Sequence, residues 1–150
     1  MDFIKKTPEN ITVLVKNANN KNNWPIRLKA VEELGKYDCQ QTRDVITRIA
    51  LHDKVFEVKE TAFRIAQALG VTIKGKPIIL ARKDVGFKAS DFKKTFSKVK
   101  RETKMDALQI EIFKRKLIQV NTEMYDVMQY EKGSNFDQWI TNIYISLPKN

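Results

Sequence analysis

The chain has 150 residues, of which 42% are hydrophobic and 31% are charged, a composition typical of folded globular proteins rather than disordered ones. One cysteine excludes a disulfide framework and a cysteine-rich metal site, and five glycines and four prolines disfavour an all-β fold rich in tight turns. The net charge of +10 favours an anionic partner such as nucleic acid, an acidic protein surface or anionic lipid.

The chain carries no predicted targeting or membrane segment. Residues 1–6 lack an apolar stretch of secretory length. No run of the sequence approaches the roughly 18 apolar residues that a membrane span requires. We therefore expect a cytoplasmic protein without membrane contact.

Two helices are predicted at the beginning of the chain. Thr7 is a good N-cap and Pro8 a good first helical residue, so the apolar run that follows is predicted to be helical. The asparagine-rich residues 17–23 predict a loop. A second helix is predicted from Trp24 to a C-cap at Gly35, because apolar residues recur between them at helical spacing.

The same pattern follows about 32 residues later. Helices are predicted over residues 42–51 and 57–69, with a short break at 52–54. A shift of 32 residues superposes similar side chains, namely Ile26 on Val58, Arg27 on Lys59, Ala30 on Ala62, Val31 on Phe63 and Leu14 on Ile46. Two helix pairs at one period predict stacked helical hairpins.

Residues 26–35, Ile-Arg-Leu-Lys-Ala-Val-Glu-Glu-Leu-Gly, resemble the second helix of a HEAT repeat, which reads roughly Val-Arg-x-x-Ala-x-x-x-Leu-Gly. Residues 58–62 repeat the start of this motif, whereas residues 68–70 come three positions late and imply an extra turn. The resemblance covers about residues 8–70. It implies a protein-binding scaffold, although basic HEAT-like proteins also bind DNA, among them a class of DNA glycosylases, and others act on bilin chromophores.

The repeat pattern also predicts where a protein partner would bind. Arg27 and Lys59 occupy equivalent places in the two copies, and we expect both to be exposed. Trp24 either packs against the start of its helix or lies exposed on the edge at which HEAT proteins bind partners. The predicted partner-binding residues are therefore Trp24, Arg27 and Lys59.

Three regions are predicted in all. Residues 1–70 form the HEAT-like repeat region, and residues 71–89 form a basic linker or a short hairpin, because two β-prone triplets flank a turn that contains Gly75. Residues 90–150 form a small C-terminal helical subdomain. Its helices are predicted to begin with signals at Ser90, Asp106, Thr122 and Ser134.

Most of the excess charge lies in one segment. Residues 71–104 contain 11 basic and 3 acidic residues, a net charge of +8, whereas residues 1–70 carry +3 and residues 105–150 carry −1. In the helix predicted over 90–103, Phe92, Phe96, Val99 and Thr103 form a narrow apolar stripe. The predicted polyanion-binding residues occupy the remaining surface: Lys93, Lys94, Lys98, Lys100, Arg101 and Lys104.

This basic 74–104 segment has several interpretations. It is either a solvated helix face, or a surface that binds nucleic-acid phosphates through counterion release, or a surface that binds an acidic protein. Membrane contact is the least favoured alternative, because the apolar stripe is narrow and is needed for the core. Zinc-finger spacing and the aromatic motif of RNA-recognition domains are absent from the sequence. Any contact with nucleic acid is therefore expected to involve the backbone and not the base sequence.

No catalytic arrangement is evident. His52 and Asp53 are neighbours in a predicted break, but no motif places a serine or cysteine nucleophile beside them. Phosphate loops and dinucleotide fingerprints are also absent. We expect no catalytic residue, cofactor, metal or small-molecule substrate.

The sequence thus predicts an all-α fold, with HEAT-like helical hairpin repeats followed by a small C-terminal helical subdomain. The predicted function is that of a non-enzymatic adaptor for a macromolecular partner. The alternative is a nucleic-acid-binding accessory protein that contacts phosphates through the basic 74–104 segment.

Overall fold

Helices dominate the structure, a computed structural model that describes residues 2–148, and the all-α prediction is confirmed. Within these residues the one sheet is a hairpin of two short strands. The contacts between Cα atoms form two groups, which divide the chain between Asp84 and Val85 into an N-terminal unit and a C-terminal unit. Each unit is described separately.

The N-terminal unit contains four helices in its described residues: α1 (Ile11–Ala18), α2 (Trp24–Leu34), α3 (Gln40–His52) and α4 (Phe56–Leu69). α1 packs against α2 and α3 packs against α4, and the loop that joins each pair is short. α2 also lies against α4, and α1 against α3. The core between these helices is apolar and includes the fully buried residues Val31, Leu34, Ile46, Val58 and Ala62.

The first helix begins later than predicted. The N–H of Ile11 donates to the carbonyl of Pro8 at 3.1 Å, so a turn occupies the residues that were predicted to open the helix. The first hydrogen bond of helical spacing joins the N–H of Leu14 to the carbonyl of Asn10 at 3.0 Å. Asn10 is therefore the N-cap in place of Thr7, and the first helical residue is Ile11 and not Pro8.

α2 begins at Trp24 as predicted, because Oδ1 of Asn23 accepts a hydrogen bond from the N–H of Ile26 at 3.2 Å and caps the helix. Gly35 lies at the predicted C-cap, but its φ of −65° is accessible to any residue. A Cβ at Gly35 would overlap Cδ1 of Ile65 on α4. The glycine therefore serves close packing between helices and not a left-handed turn.

A short hairpin follows α4. Strand β1 (Thr72–Ile73) pairs antiparallel with β2 (Lys76–Pro77), which agrees with the hairpin alternative for this segment. Lys74 and Gly75 have φ values of 52° and 78°, and two positive φ angles are typical of a tight hairpin turn. The hairpin is exposed to solvent on both strands.

The C-terminal unit contains α5 (Ala89–Thr103), α6 (Ile110–Val120), α7 (Thr122–Lys132) and α8 (Phe136–Ser146), with a 3-10 turn at Gly133–Asn135. α5 packs against α6 and α8, and α7 packs against α6 and α8. Aromatic rings fill much of the interior. Phe96 and Phe113 are fully buried with ring centroids 4.9 Å apart, and Trp139 lies edge-on to Phe96 at 5.4 Å.

Three helix starts in this unit differ from prediction. α5 begins at Ala89 with Lys88 as its N-cap, and not at Ser90. α6 begins at Ile110 and not after Asp106, because the chain leaves α5 through Lys104 in a left-handed conformation with φ 51° and needs a loop before it can turn again. The N-cap of α8 is Asn135 and not Ser134, since the 3-10 turn carries the chain past Ser134. α7 begins at Thr122 as predicted.

Replacing Ala62 by leucine is expected to lower the free energy of unfolding by roughly 1–3 kcal/mol, because overpacking a dense core forces strain. Ala30, Leu34 and Ala62 are buried as predicted, with exposed fractions of 3%, 0% and 0%. Thermal unfolding of Ala62→Leu measures the cost. Ala68→Leu on the exposed face of the same helix is the matched control and should unfold like the parent protein. Equal melting temperatures for both variants would show that the core around Ala62 is not tightly packed.

Candidate functional site

The apolar stripe of α5 fixes the direction in which its charged residues point. Phe96 and Val99 are fully buried, and Phe92 packs edge-on against Trp139 with ring centroids 5.1 Å apart. Oδ2 of Asp91 accepts a hydrogen bond from the N–H of Lys88 at 2.8 Å, which holds the first turn of the helix. The side of α5 opposite this stripe therefore faces solvent.

Three cations lie on successive turns of that exposed side. Lys94, Lys98 and Arg101 are separated by four and three residues, so they form a row along the helix that we call the basic ridge. All three are exposed, and Lys93 and Lys104 are exposed on the adjoining surface. Five of the six predicted polyanion-binding residues are thus accessible on one helix.

The sixth residue, Lys100, is engaged within the unit. Its Nζ lies 3.3 Å from the carbonyl oxygen of Pro148 and 5.2 Å from the centroid of the Tyr144 ring. The side chain is half-buried at the edge of the apolar stripe. Lys100 therefore contributes to packing of α5 on α8 as well as to the charge of the helix.

The charge of the basic ridge is not compensated. Within residues 2–148, no carboxylate forms an ion pair with Lys93, Lys94, Lys98, Arg101 or Lys104, the exposed cations of the helix. Like charges three or four residues apart on a helix repel one another and cost a few tenths of a kcal/mol per pair. The helix carries this repulsion without an internal gain, which favours a role outside the molecule.

Two cations of α6 are paired. Nζ of Lys114 lies 2.6 Å from Asp137 and 3.5 Å from Glu111, and Nζ of Lys116 lies 3.4 Å from Glu102. Partial burial lowers the pKa of Lys114, but the hydrogen bonds and charges of Asp137 and Glu111 outweigh it and leave the pKa raised. These two lysines therefore have internal carboxylate partners within the described residues, unlike the cations of the basic ridge and unlike the exposed Arg115.

A groove of about 500 Å³ runs beside the basic ridge. It is lined by Lys94 and Lys98 of the ridge, by Asp91 and Thr95 of the same helix, by Val120 and Asn121 at the α6–α7 junction, and by Gly86 and Phe87. Phe87 comes from the segment that precedes α5, and its ring centroid is 6.1 Å from that of Phe92. No sequence pattern marks Phe87, because its position depends on how the irregular segment folds against α5.

Arg27 does not occupy the predicted partner-binding surface, so this expectation is wrong. Its exposed fraction is 6%, and its guanidinium donates to both carboxylate oxygens of Asp53 at 2.9 and 3.1 Å. A third hydrogen bond joins Nη1 to the carbonyl of Asn20 at 3.0 Å. Arg27 is buried because Asp53, at the end of α3, offers it a bidentate partner, which the sequence pattern alone did not reveal.

The other two predicted partner-binding residues are partly accessible. Trp24, the first residue of α2, and Lys59, in the first turn of α4, are both half-buried. The expectation of a fully exposed Lys59 is therefore too simple. The structure provides no shared cluster of Trp24, Arg27 and Lys59 on an exposed face, since Arg27 lies in the interior.

A second, polar groove of about 640 Å³ lies along α3, where His52 and two arginines contribute to the lining. Arg43 donates to Asp38 at 2.8 Å and to the carbonyl of Leu69 at 3.1 Å, and this hydrogen bond to Asp38 lowers the pKa of its carboxyl. Oδ1 of Asn19 accepts a hydrogen bond from Arg48. Both arginines therefore have structural partners.

Among residues 2–148, no three side chains of His, Cys, Asp or Glu form a group that could hold a metal ion. No helix in the same range combines the length and the apolar character that a membrane span requires.

Comparison of the chain with protein-family models, with curated proteins and with solved structures gives no match.

Proposed function

We propose that this chain is a nucleic-acid-binding protein that contacts phosphates through the exposed cations of α5. The observation that supports this proposal is the set of five exposed cations that form no ion pair within residues 2–148, three of which form the basic ridge. Scattered charges would maintain solubility equally well, so the clustering on one helix supports a ligand of opposite charge.

The spacing of the ridge suits a phosphate backbone. Seven residues of α-helix separate Lys94 from Arg101, which corresponds to about 10 Å along the helix axis. The ridge is therefore long enough to contact more than one phosphate of the same strand. Flexible lysine and arginine side chains can neutralise phosphates over this distance without an exact match of geometry.

Binding of this kind is governed by counterion release and carries little sequence information. Lysine and arginine contacts with phosphates position a protein on nucleic acid, whereas side chains that reach base edges provide sequence specificity. The basic ridge lies on the surface of a short helix whose other side is anchored in the core. We therefore expect the affinity to depend strongly on salt and weakly on the base sequence.

A titration of labelled duplex DNA at two salt concentrations tests the proposal. If four phosphates are neutralised, log K should fall against log salt with a slope of about −3.6, which is a loss on the order of 100-fold between 50 and 200 mM salt. Fluorescence anisotropy with the full chain measures this slope. An affinity that does not change with salt, or no binding at the lower concentration, would contradict the proposal.

We propose protein binding by a HEAT-like scaffold as the second candidate function. The supporting observation is the packing of α2 on α4 and of α1 on α3, which is the arrangement expected of two stacked hairpins. Exposed apolar residues in the same unit include Val13 and Ile26, with exposed fractions of 56% and 38%. The salt titration separates the two candidates, because an adaptor of this kind requires no affinity for DNA.

A further inference from the structure

The geometry points to single-stranded nucleic acid as the ligand, and we propose that one base stacks on Phe87 in the groove beside the basic ridge while Lys94 and Lys98 hold the neighbouring phosphates. This inference rests on the proposed function and specifies that the nucleic acid is single-stranded. Single-strand-binding proteins combine a cationic surface that follows the backbone with aromatic rings on which bases stack. Both elements meet in this groove.

The ring of Phe87 is held in place rather than free to collapse. It lies against Phe92 with ring centroids 6.1 Å apart and planes tilted by 44°, and Phe92 packs edge-on against Trp139 at 5.1 Å. Phe87 itself is only half-buried and lies in the groove wall. A ring fixed on one side and accessible on the other offers a stacking surface at little entropic cost.

The groove separates the places for a base and for a phosphate. Lys94 and Lys98 belong to both the ridge and the groove, so a phosphate on the ridge brings its own base to the groove entrance. The carboxylate of Asp91 also lines the groove and is hydrogen-bonded to the N–H of Lys88 at 2.8 Å. Its negative charge offsets part of the positive charge that Lys94 and Lys98 give the groove, so a phosphate gains less there than on the exposed side of the ridge, whereas an uncharged base is not affected.

The remaining lining suits a base. Val120 provides an apolar wall, while Thr95 and Asn121 provide polar atoms. Oδ1 of Asn121 is used to cap α7, since it accepts from the N–H of Met124 at 3.1 Å, and the side-chain amide nitrogen remains as a donor. The volume of about 500 Å³ lies within the range of roughly 300–1,000 Å³ that is common for small-ligand pockets.

A duplex cannot use this groove without disruption. Its bases are stacked and paired inside the helix, so one would have to be extruded at a cost of unstacking and unpairing. In a single strand the bases already leave the stack readily, and each base that stacks on an aromatic ring gains affinity. The inference therefore demands a preference for single strands that charge alone does not produce.

Substitution of Phe87 tests the inference with the full chain and two labelled probes, an oligothymidylate of about 12 nucleotides and a duplex of the same length. Phe87→Leu keeps an apolar contact with Phe92 but removes the aromatic face. We expect it to lower affinity for the single strand by between about 5-fold and about 150-fold and to leave duplex affinity unchanged. Phe87→Tyr, the matched control, retains a ring and should bind the single strand like the parent protein.

Four results separate this inference from the proposed function. Selective loss with Phe87→Leu and recovery with Phe87→Tyr would support the inference. Equal affinity of the parent protein for both probes, or no effect of Phe87→Leu on the single strand, would overturn it. Loss with both Phe87 variants would also overturn it, because the ring would then act only in packing. If charge reversal in the basic ridge weakens neither probe, the proposed function itself fails.

Discussion

The triple variant K94E/K98E/R101E is expected to bind duplex DNA at least about 100-fold more weakly than the parent protein at about 0.1 M salt. Each phosphate contact contributes about 0.9 to the salt slope, which corresponds to about eightfold in affinity at this salt concentration. Three lost contacts therefore predict a loss of a few hundredfold, before any repulsion between the new carboxylates and the phosphates. The slope of log K against log salt should become less steep, changing from about −3.6 to about −0.9.

The fold should survive this substitution, because all three side chains are exposed and none forms an ion pair within the described residues. Circular dichroism and thermal unfolding verify this. The glutamate at position 101 lies in the last turn of α5 and opposes the helix dipole, and we expect it to cost up to about 1 kcal/mol. That cost is small beside the predicted change in binding.

A second triple variant, K21E/K29E/K54E, is the matched control. It makes the same change in net charge at three exposed lysines of the N-terminal unit. If the overall charge of the protein attracted DNA, both variants would lose affinity equally. If local contacts at the basic ridge bind the DNA, the control variant should lose only the long-range electrostatic attraction to DNA, which salt screens. Binding of K94E/K98E/R101E at parental affinity would identify the ridge as a solvated helix face.

The basic face of α5 could be predicted from the sequence because it depends on helical periodicity alone. Phe96 and Val99 recur at the spacing of a buried stripe. Lysines at the other positions of the helix therefore lie on its exposed side. The same reasoning placed Ala30 and Ala62 in the core. Such patterns lie within a single helix, so they can be recognised without knowing which element packs against it.

The groove and the true role of Arg27 depend on distant parts of the chain. Phe87 becomes part of a groove only when the preceding segment folds against α5 and the α6–α7 junction. Arg27 is buried only because Asp53 lies 26 residues further along the chain and faces it across the hairpins. A charged residue in a helical pattern is usually exposed. A buried one such as Arg27 requires a partner of opposite charge, and helical periodicity does not identify that partner.

Replacing Arg27 by alanine is expected to lower the free energy of unfolding by about 3–5 kcal/mol, because it leaves the Asp53 carboxylate buried without its counter-ion. The side chains of Arg27 and Asp53 are each 7% exposed, and Nε of Arg27 lies 2.9 Å from Oδ2 of Asp53. Asp53 also accepts from the N–H of Val55 at 2.9 Å, just before α4. The ion pair thus joins α2 to the turn between α3 and α4.

A double substitution distinguishes the buried charge from simple loss of packing. In R27M/D53N the methionine fills much of the arginine volume, and the neutral amide of the asparagine still accepts from Val55. We expect this variant to be more stable than R27M alone, since no unpaired charge remains in the interior. Urea unfolding of the parent protein, both single variants and the double variant measures the coupling between the two residues. A loss below about 1 kcal/mol for Arg27→Ala would match an exposed residue, and it would restore the interpretation of Arg27 as a partner contact.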